Sequence, residues 1–95
     1  MVEFDVAVVG SINTDLSVFT SVFPDPGETV VGSEFVTGFG GKGANQSVAA
    51  KLLGCKVALV AKVGNDDFGR SYMAHLKETG INCSKLINLL DFCYI

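Results

Sequence analysis

The chain has 95 residues, 48% hydrophobic and 18% charged, which favours one small folded domain with a marginal core and excludes intrinsic disorder. A net charge of −3 with scattered basic residues excludes an electrostatic surface for nucleic acids. No apolar run is long enough to cross a membrane, and the acidic first five residues differ from a signal peptide. We expect a cytoplasmic protein without nucleic-acid or membrane partners, and the three widely spaced cysteines predict free thiols and no metal site.

The first part of the chain predicts one buried strand and one hairpin. Residues 4–10 contain four consecutive apolar residues closed by a glycine, a pattern typical of a strand buried on both faces of a parallel sheet. Residues 28–31 and 34–37 flank Gly32 and Ser33, so a β-hairpin is predicted over about residues 28–37.

The second part of the chain alternates helix and strand. Ala44, Val48 and Leu52 recur every four residues, which predicts an amphipathic helix that ends near Gly54. Residues 56–63 contain a second apolar run, Val57 to Ala61, and predict a second buried strand.

A last helix follows this strand. Asp66 or Asp67 is expected to cap it, and Gly80 to end it. Its apolar face is predicted to contain three residues: Phe68, Tyr72 and Leu76. The order of strands and helices indicates an α/β fold with a parallel sheet, from which the hairpin protrudes as an inserted flap.

Glycines dominate the segment from residue 38 to residue 43, which matches the pattern G-x-G-x-x-G of dinucleotide-binding sites. That alternative is weak, because the pattern requires a core strand before it and residues 34–37 look like half of a hairpin. A P-loop would need Ser or Thr where Gly43 stands. The glycines instead offer free N–H donors to a polar ligand at a helix start, beside Lys42 and Asn45. Alternatively, they only form a tight loop with a solvated Lys42.

A second polar cluster follows the first predicted strand. Asn13 and Asp15 are expected on one loop at the carboxyl end of this strand, where ligands bind in open α/β sheets. An amide and a carboxylate at this spacing suit the adjacent hydroxyls of a sugar. The alternative is a turn in which both side chains bond their own backbone.

Several of these motifs, taken in order, resemble the N-terminal signature of the PfkB, or ribokinase-like, carbohydrate kinases. The matching strings are Gly10-Ser11-x-Asn13-x-Asp15, Pro26-Gly27-Glu28-Thr29 and Gly40-Gly41-Lys42-Gly43-Ala44-Asn45-Gln46. The resemblance covers residues 4–83 and implies a ribokinase-like α/β fold, with a Rossmann-like parallel sheet and helices and an inserted β-hairpin lid, here incomplete. Within the family, the strings look most like members that transfer phosphate from ATP to D-ribose, giving ribose 5-phosphate.

The resemblance also implies a set of site residues and partners. The residues expected to hold ribose, or a similar small sugar, are Asn13, Asp15, Gly41, Lys42 and Asn45. The lid would close over the sugar and could pair with a second subunit in a homodimer. Full-length members use ATP, Mg²⁺ and a monovalent cation such as K⁺, and none of these is expected to bind this chain alone.

The chain departs from the family pattern after residue 83. Residues 84–95 are interpreted as a divergent tail, so the family domain is placed at residues 1–83. The family's catalytic Asp lies in a Gly-Ala-Gly-Asp string that does not occur here, so no catalytic residue is assigned and the chain alone is expected to be inactive. The alternative is a noncatalytic partner that pairs its lid hairpin with a full-length kinase subunit.

Overall fold

The computed structural model describes residues 3–83 and the backbone of residues 86–89. Its elements are, in chain order, β1 (Val6–Val9), β2 (Asn13–Phe19), β3 (Glu34–Gly40), α1 (Lys42–Leu52), β4 (Val57–Gly64), α2 (Asp67–Glu78) and β5 (Leu86–Leu89). They form two separate sheets in the described part of the chain: a parallel sheet with the order β1-β4-β5, and an antiparallel pair of β2 with β3.

Strand β4 is the centre of the parallel sheet and of the hydrophobic core. Its apolar run fits a position between two parallel neighbours, and Leu59 is completely buried. Both helices pack on the face that carries Leu59, and the core cluster contains Ala44, Leu59, Ala61, Tyr72, Leu76 and Ile81. The α/β fold and the second buried strand are therefore confirmed.

Strand β1 forms where predicted, but the expectation that both of its faces are buried is wrong. Val8 lies beside Leu59 and packs against the core, whereas Val9, on the opposite face, is 81% exposed. Successive side chains of a strand point to opposite faces. Because α1 and α2 lie on one face, no described helix covers the other.

Helix α1 begins at Lys42, within the glycine-rich segment rather than after it, and includes Gly43 in its first turn. Gly54 has a φ of 96° just beyond its last turn, a conformation that glycine adopts without steric penalty. The apolar stripe is shorter than expected: Ala44 is buried and Val48 half-buried, whereas Leu52 is 81% exposed.

Helix α2 confirms the predicted cap. Asp66 is the N-cap residue, and its carboxylate accepts a hydrogen bond of 2.8 Å from the N–H of Gly69. Tyr72 and Leu76 are buried as predicted, and Gly80, with a φ of 83°, follows the last turn. Among the described residues, neither helix is long and apolar enough to cross a bilayer.

The hairpin forms, but its predicted bounds are wrong. Strand β2 pairs with β3 from Asn13 opposite Gly40 to Phe19 opposite Glu34, whereas residues 28–31 are not a strand. Residues 20–33 connect the two strands, and the N–H of Ser33 donates to the carbonyl of Phe19. The β2–β3 ladder contains seven residue pairs, more than two four-residue segments around Gly32 could form. The longer pairing therefore satisfies more backbone hydrogen-bonding groups.

A third core strand was not predicted. Strand β5 pairs in parallel with β4, from Leu86 beside Ala61 to Leu89 beside Gly64. The prediction counted two core strands because it treated residues 84–95 as a tail. Residues 84, 85 and 90–95 lie outside the described part of the chain.

Candidate functional site

A cleft of about 380 Å³ opens at the carboxyl ends of β1 and β4. It lies between the start of β2 and the start of α2, and its lining consists of Ile12, Asn13, Thr14, Asp15, Leu16, Val63, Gly64, Asp66, Phe68 and Gly69. The carboxyl ends of parallel strands meet at one edge of a sheet, where ligands bind in open α/β folds. The fold therefore places the cleft where this architecture binds small molecules.

Asn13 and Asp15 lie together in this cleft, but on strand β2 rather than on the predicted loop. They alternate along one strand, so they share a face, and the residues opposite them on β3 are Gly40 and Gly38. Both are exposed, and neither side chain makes a hydrogen bond or ion pair to another described residue. A turn that occupies these side chains with their own backbone is therefore wrong.

The glycines before α1 make room for the chain itself. Gly41 has a φ of 99°, and a Cβ atom there would lie 2.6 Å from the carbonyl oxygen of Ser11 and 2.7 Å from the nitrogen of Asn13. The first turn of α1 is thus pressed against the segment between β1 and β2, and the N–H of Ala44 donates to the same Ser11 carbonyl at 3.0 Å. Close approach to a ligand is not what requires glycine at position 41.

Gly40 makes room for the Asp15 carboxylate. A Cβ atom on Gly40 would lie 2.5 Å from Oδ1 and 2.6 Å from Oδ2 of Asp15. A fixed negative charge at this turn repels phosphate groups. Strand β3, which precedes the glycines, is half of a hairpin as predicted. Both observations argue against the dinucleotide alternative.

The structure places Lys42 and Asn45 on helix α1. Both are exposed in the first turn of α1, and neither belongs to the cleft lining. The structure therefore brings Gly41 into contact with the start of β2. Lys42 and Asn45 follow Gly41 in the first turn of α1.

Two residues at the start of α2 line the cleft, and Tyr72 lies behind it, although the sequence suggested only structural roles for all three. Asp66 and Phe68 line the cleft, and Phe68 is 51% exposed instead of facing the core. The hydroxyl of Tyr72 donates a buried hydrogen bond of 2.6 Å to the carbonyl of Gly40. The rule that ligands bind at strand ends would have pointed to the segment after β4 as well as that after β1.

The charge of Asp15 also affects the pKa of the Tyr72 hydroxyl. Burial raises the pKa of the Tyr72 hydroxyl above its ordinary 10.0, and the negative charge of Asp15 raises this pKa further. The phenol therefore stays protonated and remains the donor to Gly40 over the whole neutral range.

The donor groups of the described residues indicate which kind of ligand the site suits. In residues 3–83, no three His, Cys, Asp or Glu side chains are grouped to hold a metal ion. The glycine turn carries the Asp15 carboxylate where a phosphate cradle would need open N–H groups. The arrangement suits a neutral ligand with several hydroxyls, because it offers a carboxylate and an amide side by side.

Comparisons with known proteins agree with this chemistry. A family model described as pfkB family carbohydrate kinase matches residues 3–89. The chain is 57% identical over 77 residues to a ribokinase of Mus musculus, which covers 81% of the chain and 24% of that protein. It is 46% identical over 78 residues to a deoxyribokinase of Salmonella typhi, covering 82% of the chain and 26% of that protein.

A solved structure extends the likeness to three dimensions. The ribokinase of Arabidopsis thaliana, in complex with ribose and ATP, superposes with a TM-score of 0.75 and 30% identity. The superposition covers 90% of this chain and 28% of that one. The chain thus spans about a quarter of the length of the curated relatives it matches.

Proposed function

Because this chain belongs to the pfkB family of carbohydrate kinases, we propose that it forms the sugar-binding part of an ATP-dependent kinase that phosphorylates D-ribose to ribose 5-phosphate. The observation that carries the proposal is the pair Asn13 and Asp15, exposed side by side in the cleft with no hydrogen-bond partner in the described part of the chain. The names of the Mus musculus and Arabidopsis thaliana relatives support ribose as the substrate.

The five predicted residues would share the work of binding the sugar. The Asp15 carboxylate accepts hydrogen bonds from two adjacent hydroxyls, and the Asn13 amide both donates and accepts. Gly41 holds the start of α1 against β2, so that Lys42 and Asn45 add donors at the edge of the cleft.

The phosphoryl donor would bind outside the described residues. ATP would supply the phosphate, and Mg²⁺ with a monovalent cation such as K⁺ would neutralise its charge. In residues 3–83, no three His, Cys, Asp or Glu side chains are grouped to hold a metal ion. We propose that the 95-residue chain by itself binds and orients the sugar without transferring phosphate.

Calorimetric titration of the 95-residue chain with D-ribose tests sugar binding. Asp15→Asn removes the charge that strengthens two hydrogen bonds and should weaken ribose binding by about tenfold or more. Asp25→Asn is the matched control: it makes the same change in the loop between β2 and β3, and should leave ribose affinity within about twofold.

Two further measurements complete this test. Titration with 2-deoxyribose compares the two sugars that the relatives' names suggest, since each lost hydroxyl removes one contact. An ATP-dependent phosphorylation assay of the same chain should show no turnover. Absence of ribose binding to the unsubstituted chain would overturn the proposal, and phosphorylation of ribose would overturn the statement that this chain transfers no phosphate.

A second candidate function, a noncatalytic partner of a full-length kinase subunit or a homodimer, is favoured by the apolar surface of the hairpin. Leu16, Val18 and Phe35 are each about 60% exposed, and Val18 lies directly opposite Phe35. Adjacent exposed apolar side chains on a two-stranded ladder favour association. The observed hairpin, β2 with β3, replaces residues 28–37 as the proposed lid.

Size-exclusion chromatography of the chain, alone and mixed with a full-length ribokinase, tests this candidate. Val18→Lys places a charge in the centre of the apolar surface and should abolish a complex that forms through it. Val22→Lys, in the connecting loop and 60% exposed, is the matched control and should leave the complex intact. Elution of the unsubstituted chain as a monomer under both conditions would exclude this function.

A further inference from the structure

Tyr72 connects helix α2 to the hairpin through one buried hydrogen bond and a ring contact. The residue is 2% exposed, and its hydroxyl donates to the carbonyl of Gly40, the last residue of β3. The adjacent Phe39 ring meets the Tyr72 ring edge-on at 4.8 Å and stacks on His75 at 4.1 Å. The hydrogen bond and the two ring contacts together fix the end of β3 relative to α2.

The same end of β3 supports the proposed sugar ligands. Gly40 lies directly opposite Asn13 in the β2–β3 ladder, and the Asp15 carboxylate lies against its Cα. A displacement of Gly40 by a few tenths of an ångström would therefore move the surface on which Asp15 rests. In α2, only Tyr72 donates a side-chain hydrogen bond to this residue among the described contacts.

We infer that Tyr72 is a positioning residue of the sugar site, which holds Asp15 in place through its hydrogen bond to Gly40. The inference rests on the proposed function, because it assigns Asp15 to the sugar. Tyr72 itself lies beneath the hairpin and touches no ligand. Phenylalanine at this position keeps the ring packing and leaves the Gly40 carbonyl without its donor.

Tyr72 and Asp15 are also close enough to interact electrostatically. The negative charge of Asp15 contributes to the raised pKa of the Tyr72 hydroxyl, so the two side chains interact although no hydrogen bond joins them.

The first test measures ribose affinity in a double-mutant cycle. All variants carry Tyr94→Phe, which makes the same chemical change at the other tyrosine of the chain and serves as the reference. Tyr72→Phe should weaken ribose binding by about two- to tenfold, the usual worth of one hydrogen bond. In the Asp15→Asn background it should add no further loss, because Tyr72 acts through Asp15.

A purely structural Tyr72 gives a different pattern. Tyr72→Phe would then lower the melting temperature and leave the ribose affinity of the folded chain unchanged, or its loss would add fully to that of Asp15→Asn. Either result overturns the inference.

The second test needs no sugar. With Tyr94→Phe in place, absorbance at alkaline pH reports Tyr72 alone. Asp15→Asn should lower the pKa of Tyr72, and Asp25→Asn should leave it unchanged. An unchanged pKa in the Asp15→Asn variant overturns the inference even if Tyr72→Phe fails to fold. Failure of the unsubstituted chain to bind ribose, with the coupling intact, overturns the proposed function and leaves Tyr72 as a support of Asp15.

Discussion

The two sheets of this chain differ in how they are stabilised. In the parallel sheet, five of the eight residues of β4 are buried. In the hairpin, Gly40 is the one buried residue of β2 and β3, and apolar side chains such as Phe35 stand exposed on it. The parallel sheet with its helices therefore carries the core, whereas the hairpin depends on the junction at its base.

This difference assigns the two regions separate tasks. The packed region fixes the strand ends that define the cleft, and the hairpin brings Asn13 and Asp15 to that cleft. Stability and binding should accordingly respond to different substitutions, and the variants below test how far the two regions are independent.

Truncation in the core should have the largest effect. Leu59→Ala removes a completely buried side chain from β4 and should destabilise the chain by about 2–5 kcal/mol, through lost burial and a residual cavity. Leu16→Ala makes the same change on the hairpin, where the side chain is 59% exposed, and should change stability by less than about 1 kcal/mol. Urea denaturation followed by circular dichroism measures both. Equal losses would show that the hairpin is part of the core.

A substitution at Gly41, where the hairpin joins helix α1, should have the second-largest effect on stability. Gly41→Ala puts a Cβ atom into the backbone of residues 11–13 and keeps a φ of 99°, so we expect a loss of about 2–3 kcal/mol. Gly27→Ala has a similar φ of 78° with open space around it, and should lose about 1 kcal/mol. The same denaturation experiment compares them. Identical losses would mean that backbone strain alone, without packing, sets the requirement for Gly41.

Loss of the α2 cap should have a smaller effect, confined to the packed region. Asp66→Ala removes the acceptor for the Gly69 N–H and should destabilise the chain by about 1 kcal/mol. Asp67→Ala is the control, because its exposed ion pair with Arg70 contributes little. In thermal melts, the Asp66→Ala variant should have a lower melting temperature than the Asp67→Ala variant. The reverse order would contradict the capping role.

Alkaline pH should produce the most gradual change. Burial raises the pKa of the Cys83 thiol above 9.0, partly opposed by Lys77, and burial with the charge of Asp15 raises that of Tyr72 above 10.0. Both groups are uncharged when protonated, so their stabilisation is complete below pH 9 and declines as the pH rises through the raised values.

Chemical denaturation between pH 8 and pH 11 measures this decline. Cys83→Ala should remove the part that begins near pH 9, and Tyr72→Phe the part that begins near pH 10. Cys55→Ala serves as the control thiol. A free energy of unfolding that stays constant up to pH 11 would show that neither group is more buried in the folded chain than in the unfolded one.

Much of the packed region could be predicted because its signals are local. The apolar run of β4, the cap at Asp66 and the glycine after each helix are set by neighbouring residues. The one-sided burial of β1 was missed, because the burial of a strand depends on which face the helices cover.

The hairpin and the second half of the site depend on distant residues. Pairing of β2 with β3 crosses a loop of fourteen residues, numbered 20–33, and the turn at Pro24–Gly27 within this loop does not by itself set which residues pair. Asn13 and Asp15 were found from their chemistry. The contribution of Tyr72 could not be predicted from the sequence. Its partner Gly40 is 32 positions away, and the contact uses a backbone carbonyl, which every residue has.

The absence of a shared ladder between the two described sheets also determines how their amides exchange with solvent hydrogen. The β2–β3 amides can open together by a local fluctuation that leaves the core intact, whereas those of β4 open only when the whole domain unfolds. Deuterium should therefore enter the hairpin amides by local opening, which costs little free energy, and the β4 amides only by global unfolding. A sugar held between Asp15 and the cleft would slow the first process without touching the second, so exchange at β2 would record occupancy of the site.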